Sequence, residues 1–230
     1  MGVAFKKNNQ EKVLMAGYNI LIADDHPLFR SAMRQALTMG LGAEIRLVEA
    51  SSISELEQCL NENSDWDLVL LDLNMPGAYG FSGLALLRGQ YPHVPVVMVS
   101  AEEEPAVMAR AREFGAMGFI PKSSSLEAIQ HAVQAVLDGD TSWPSQALSE
   151  VQVSAEARAA SEGLASLTPQ QFRVLTMVCE GLLNKQIAYE LSVSEATVKA
   201  HVTAIFRKLG VRTRTQAALL LQQLESIPSS

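Results

Sequence analysis

The chain is poor in cysteine and has no long apolar run. Cys59 and Cys179 are its only cysteines among 230 residues. They stand 120 positions apart, too far for any local metal-binding spacing. That usage fits two reduced packing residues in a cytoplasmic protein. No apolar run approaches the ~20 residues that a membrane-spanning helix needs. The opening "MGVAFKKNNQEKVLMAG" carries lysines but no sustained apolar stretch, so it does not read as a signal peptide. Position 6 is Lys6 rather than Ser or Thr, which argues against myristoylation at Gly2. There is no internal repeat. What remains, 48% hydrophobic and 19% charged residues, is ordinary for a globular protein without a membrane segment.

The net charge of -7 hides an asymmetry. Residues 17–140 hold 7 basic and 17 acidic side chains, a balance of -10. Residues 164–230 hold 7 basic and 4 acidic side chains, a balance of +3. The total alone would argue against a nucleic-acid partner; the split permits one for the C-terminal part.

The first part alternates in pattern. Short β-rich runs at Ile20–Ala23, Glu44–Val48, Asp67–Leu71, Val94–Val99 and Gly118–Ile120 are separated by helical patterns near Leu28–Met39, Ser54–Asn61, Ser82–Gln90, Pro105–Phe114 and Leu126–Leu137. This predicts an α/β domain over 18–140, doubly wound, with a five-stranded parallel sheet covered on both faces. "LVLLD" and "VPVVMVS" are nearly all apolar, as doubly buried strands should be. Residues 1–17 read as a tail. Residues 141–163, rich in Ser, Ala and Glu, read as a linker with room for some helix. Residues 164–228 read as a smaller all-α domain. There Thr168-Pro169-Gln170-Gln171 fits a capping box with proline at the first helical position, and Gly181 stops the helix. Further helices are predicted around Lys185–Leu191, after Ser194, and from Thr213.

The stretch "NILIADDHPLF" runs from an apolar strand straight into two acids, Asp24 and Asp25. Adjacent carboxylates at the end of a buried strand repel each other and lose hydration. Ligands of a parallel α/β sheet sit at the carboxyl ends of its strands. Asp72 closes the third strand, so three carboxylates would converge there if the first and third strands are neighbours. A hard cation with oxygen ligands and room for water, Mg²⁺, resolves the repulsion. His26 is a poor ligand for such an ion and reads as structural. Ser100 ends the fourth strand and Lys122 follows the fifth. A hydroxyl and an ammonium facing such a cluster suit the oxygens of a phosphoryl group, with Asp72 as the nucleophile that accepts it. Singly, each residue is weak evidence, since a strand-end aspartate is often a helix cap and a lone lysine a solvated charge.

Jointly, "ADD", "LLDLNMPGAYG", "VSA" and "GFIPKS" resemble the receiver domain of two-component systems, which is flavodoxin-like, over residues 18–140. The resemblance implies that Asp72 is the phosphoacceptor, with Ser100 and Lys122 completing the catalytic set. It implies Mg²⁺ ligation by Asp25, Asp72 and the Asn74 backbone carbonyl, with Asp24 acting through water. It makes Ser100 and Phe119 a switch pair, in which Ser100 moves toward the phosphate and Phe119 turns inward. Pro76 and Gly80 match the loop after the acceptor. Here Pro121 precedes the lysine, where the family often has a proline after it.

In "NKQIAYELSVSEATVKAHVTAIFRKLGV", Ser194 can cap a helix that Glu195 starts. Val198, Val202, Ile205 and Leu209 share a narrow arc that must face a core. The opposite arc, with Ala196, Lys199, Ala200, Thr203 and Arg207, is small or hydrogen-bonding and carries two cations, a surface able to approach a major groove. On charge alone, a helical bundle with a solvated basic face is an equal reading. The motifs "LTPQQFRVL", "GLLNKQIAYEL", "SVSEATVKAHV", "IFRKLGV" and "RTQAA" resemble a LuxR-type helix-turn-helix domain over residues 164–226. That implies a recognition helix at Ser194–Leu209, base contacts from Lys199, Ala200 and Thr203, further contacts from Thr197 and Arg207, and phosphate contacts from Lys185 and Lys208. It also implies dimerisation through the last helix, Thr213–Leu224.

Together these readings give a NarL/FixJ-type response regulator, a cytoplasmic transcription factor rather than an enzyme. A histidine kinase would phosphorylate it, and it would bind double-stranded DNA as a homodimer. Two rivals stand beside this. One is a DNA-binding regulator whose receiver is only a dimerisation or ligand-gated module. The other is a metal-dependent phosphatase, which usually needs a second acid two residues after its nucleophile; here that residue is Asn74.

Overall fold

The computed structural model describes residues 17–41, 45–63, 65–145 and 155–225. Residues 1–16 of the expected tail and 146–154 of the expected linker lie outside them. The chain divides into two compact units. The described residues of Met1–Pro76 and His93–Gln152 form one, and those of Gly77–Pro92 and Val153–Ser230 the other.

The first unit is built on five parallel strands: β1 (Tyr18–Ala23), β2 (Ile45–Ala50), β3 (Leu68–Asp72), β4 (Val96–Ser100) and β5 (Gly118–Pro121). Their order is β2-β1-β3-β4-β5. β1 and β3 are therefore neighbours, and Ala23 stands opposite Leu71. That register places Asp24 and Asp72 side by side at the carboxyl edge. Every residue of β3 and β4 is buried. β3 and β4 each end one residue later than the sequence pattern suggests, so that Asp72 and Ser100 are the last residues of their strands. Both are held by the ladder rather than hung on the following loops.

Helices α1 (Pro27–Leu41), α2 (Ile53–Glu62), α4 (Pro105–Glu113) and α5 (Leu126–Leu137) belong to this unit; α3 (Ser82–Gln90) is grouped with the second. Met33, Ala36 and Leu37 of α1 and Ile129, Val133 and Leu137 of α5 recur at helical spacing. They bury against Ile20, Ile22, Leu68, Leu70, Val97, Val99 and Ile120. Full burial of one such side chain is worth about 1.5–3 kcal/mol, so this layer fixes the position of the strand ends. Ser52 and Ser125 cap α2 and α5, accepting from the backbone N–H of Glu55 and Ala128.

After α5 the chain returns alongside β5. The Phe119 N–H donates to the Ser142 carbonyl (2.9 Å), and the Ser142 N–H donates to the Met117 carbonyl (3.1 Å). A Cβ at Gly118 would stand 2.6 Å from that Ser142 oxygen, so only glycine admits the approach.

The second unit contains α6 (Ala155–Ala165), α7 (Pro169–Cys179), α8 (Asn184–Glu190), α9 (Glu195–Leu209) and α10 (Arg214–Glu225) as well as α3. α6 is a regular helix that runs across residue 163, within the stretch read as a partly helical linker and on into the helical unit. Its buried side is Ala160, Gly163 and Leu164, too small an apolar stripe to stand out. α7 carries the expected capping box of Thr168 and Gln171. Gly181 takes the left-handed conformation that ends this helix (φ 89°). Phe172, Leu175, Ile187, Val198, Ile205, Leu209, Ala217 and Leu221, spread over α7 to α10, are all buried.

Candidate functional site

The acid pocket forms within the first unit. Asp24 is 1% exposed and Asp72 3%. The Lys122 ammonium lies between them, 2.7 Å from Asp24 Oδ2 and 3.0 Å from Asp72 Oδ2. Its backbone N–H donates to the Ser100 carbonyl (2.7 Å), which ties the β5 loop to the end of β4. Asp25 is half-buried, and its Oδ1 lies 2.5 Å from His26 Nδ1. The His26 backbone N–H donates to Asp24 Oδ1 (2.7 Å). Ligand atoms of Asp24, Asp25, His26 and Asp72 all lie within 4.8 Å of one another.

The electrostatics follow from this crowding. Burial raises the Asp72 pKa above the ordinary carboxylate value; the Asp24 charge adds to that, while Lys122 and the Asn74 backbone N–H oppose it. Burial alone would lower the Lys122 pKa. Its hydrogen bonds and charge contacts with Asp24 and Asp72 outweigh that and leave it raised. Lys122 is therefore held as a cation between acids, one of which resists ionising. The three carboxyl groups around this one ammonium offer only oxygen. That donor set fits a hard divalent cation.

Ser100 is fully buried. Its hydroxyl accepts the Glu102 backbone N–H (3.0 Å). Asn74 is exposed beside the acids, and its amide donates to Glu102 Oε1 (3.3 Å). Phe119 is 2% exposed. Its strand is held at the sheet edge by the bond between the Phe119 N–H and the Ser142 carbonyl. All described peptide bonds are trans, including those around Pro121.

The second candidate surface lies on α9. Ser194 caps it, accepting from the Thr197 N–H (3.1 Å), and Gly210 ends it in the left-handed conformation. Lys199, Ala200, Thr203 and Arg207 line one shallow exposed depression, together with Ala204, which sequence reasoning missed. Lys199 pairs with Glu195 one turn earlier (3.2 Å) and remains 66% exposed. Thr203 donates its hydroxyl to the Lys199 carbonyl (2.9 Å), so its methyl and lone pairs are what it can present. Thr197 sits at the helix start, its hydroxyl 2.8 Å from that of Ser194. Lys185 is exposed on α8. The Lys208 ammonium donates to the Ser166 carbonyl (2.6 Å) and to Gln171 Oε1 (2.7 Å), which ties it to the turn before α7 and leaves one of its three donors for a phosphate.

Sequence reasoning also missed Arg30 and Glu49 at the rim of the acid pocket. Arg30 donates to the Asp24 carbonyl and to Glu49, contacts across 6 and 19 positions that no local pattern announces.

Residues 20–134 match the family described as response regulator receiver domain. Residues 165–221 match the family described as bacterial regulatory proteins, luxR family. The chain is 44% identical over 209 residues to the glycerol metabolism activator of Pseudomonas putida, covering 88% of this chain and 94% of that one. It is 34% identical over 209 residues to the nitrate/nitrite response regulator NarL of Escherichia coli, covering 89% and 94%. Its fold is similar to that of RcsB from Salmonella enterica serovar Typhimurium, solved bound to a promoter in the presence of phosphomimetic BeF3⁻. That likeness has a TM-score of 0.53 at 23% identity and covers 90% of this chain and 99% of that one. A five-stranded doubly wound unit followed by a capped helix-turn-helix defines the class. The chain belongs to the response regulators that join a receiver domain to a luxR-family DNA-binding domain. No described helix is long and apolar enough to cross a membrane.

Proposed function

We propose that this chain is a phosphorylation-activated transcriptional regulator of a two-component system, with Asp72 accepting the phosphoryl group from a histidine kinase. The observation that carries the reading is the meeting of Asp24, Asp72 and Lys122 within 3.0 Å contacts at adjoining strand ends. Asp25, Asp72 and the Asn74 carbonyl would hold Mg²⁺, with Asp24 beside them; the ion supplies charge neutralisation for the incoming phosphoryl oxygens. Lys122 binds those oxygens directly. Ser100 is drawn from its bond with the Glu102 N–H toward the phosphate, and Phe119 turns inward to fill the space it leaves. The functional domains are then 18–140 and 164–228, joined by 141–163.

In the second domain, Lys199, Ala200, Thr203 and Arg207 read the major groove of double-stranded DNA. Thr197 and Lys185 contact the flanking backbone. The active form is a homodimer through α10, and the protein works in the cytoplasm. Asn74 and Glu102 orient water for self-dephosphorylation, so replacing both should change the lifetime of the phosphorylated form; an unchanged lifetime removes that role.

The direct test is Asp72→Asn. Wild type should be labelled by a small phosphodonor only when magnesium is present, and the variant should lose that labelling entirely. A variant labelled like wild type means that another residue is the acceptor.

A further inference from the structure

Arg30 joins three elements at the pocket rim. It lies on α1, on the turn after the acid pair. Its Nη1 donates to the Asp24 carbonyl at 2.6 Å, and its Nε donates to Glu49 Oε2 on β2 at 3.0 Å. The other oxygen of Glu49 accepts from Arg34 Nε at 2.8 Å. Arg30 is largely buried, with 15% of its side chain exposed, whereas Arg34 is at 46%. The carbonyl that Arg30 grips belongs to the peptide between Asp24 and Asp25. Its plane sets where the Asp25 carboxylate points.

Asp24 is fixed on every other side. Its N–H donates to the Ala50 carbonyl, its Oδ1 accepts the His26 N–H, and its Oδ2 meets Lys122. Among the described residues, the side-chain contact recorded for Asp25 is that with His26, so its direction follows largely from the peptide that precedes it. We propose that Arg30, braced by Glu49, is a positioning residue that orients the Asp24–Asp25 peptide and so presets Asp25 for the divalent cation. This rests on the pocket reading above and goes beyond it, because Arg30 touches neither cation nor phosphate.

The chemistry favours arginine specifically. A planar guanidinium can donate along two fixed directions at once, here to a carbonyl and to a carboxylate. A lysine at position 30 has one ammonium and cannot span both in the same geometry. Outer partners of metal ligands typically change affinity by roughly 10–100-fold when removed. Arg30 acts one peptide further out, so an effect at the lower end, about tenfold, is expected.

The test is magnesium titration of the unphosphorylated full chain, by calorimetry, for wild type, Arg30→Met, Arg30→Lys, Glu49→Gln and Arg34→Met. It is paired with phosphodonor labelling across magnesium concentration. Arg30→Met should weaken magnesium binding about tenfold. Its labelling should return to nearly the wild-type maximum at saturating magnesium, a split that a general loss of structure would not give. Arg30→Lys and Glu49→Gln should fall between it and wild type. Arg34→Met, which leaves the carbonyl bond in place, should stay within about twofold of wild type. Magnesium affinities of Arg30→Met and Arg30→Lys within twofold of wild type would overturn the proposal. Should Arg30→Met not fold, Arg30→Lys and Glu49→Gln decide by the same criterion. Wild-type protein that binds no magnesium would overturn the pocket reading itself, a result distinct from either.

Discussion

The acid pocket and the α9 face handle charge in opposite ways. In the pocket, Asp24 and Asp72 are almost wholly buried, and Lys122, 17% exposed, is wedged between them. On α9, Lys199 is two-thirds exposed and its partner Glu195 half-exposed. Water screens the second pair and hardly reaches the first. Charge in the pocket is therefore bound up with stability and pKa. On the helix it is nearly free energetically and remains available for a partner. The difference teaches where a substitution should act: on folding and ion binding in one region, on association in the other.

The sharpest way to break this contrast is to remove one cation from each region. Lys122→Met leaves two buried acids facing each other without compensation. It should cost about 3 kcal/mol in magnesium-free urea unfolding, and added magnesium should return part of that. Lys199→Met should move the same measurement by less than about 0.5 kcal/mol. Equal effects would dissolve the comparison. Next in size, Arg207→Ala and Lys199→Ala should each weaken specific DNA binding by about 1–3 kcal/mol if they reach base edges. A contact to phosphate alone would instead lower the salt dependence by about one unit without changing sequence preference. Titration of DNA at several salt concentrations separates the two.

A smaller effect comes from Cys179. Burial, with Glu180 adding and Arg214 opposing, pushes its thiol up to about 11 from 9.0. The fold thus favours the neutral thiol. That contribution is fully present below pH 9 and lost as the pH climbs toward 11. Wild type should lose stability relative to Cys179→Ala over that interval in paired urea melts, and a constant gap would contradict it. Smallest of all, Ser192 holds a left-handed φ of 52° in the turn between α8 and α9. Ser192→Gly relieves a conformation costly for a side chain and should stabilise the second unit by up to about 1 kcal/mol, read as a shift in urea midpoint.

The two regions also differ in how far the sequence disclosed them. Asp24, Asp72, Ser100 and Lys122 were legible because each ends or follows a strand of a parallel sheet, and topology does the rest. The α9 face was legible from helical period alone. The hydrogen bonds of Lys208 were not, because its partners Ser166 and Gln171 lie 42 and 37 positions away and are brought near only by tertiary packing. Arg30 and Glu49 escaped notice for the same reason. α6 was only half seen, because Ala160 and Gly163 bury little apolar area on the side it turns inward.

The return of the chain over β5 has a consequence for assembly. β5 is the last strand of its sheet, and a terminal strand with open backbone groups invites a foreign strand to zip onto it. Ser142 already takes the Phe119 N–H and the Met117 carbonyl, and the missing Cβ of Gly118 lets it lie flush. Another copy meeting this flank must therefore recognise side chains, and the sheet is not prolonged across Gly118 from one molecule into the next.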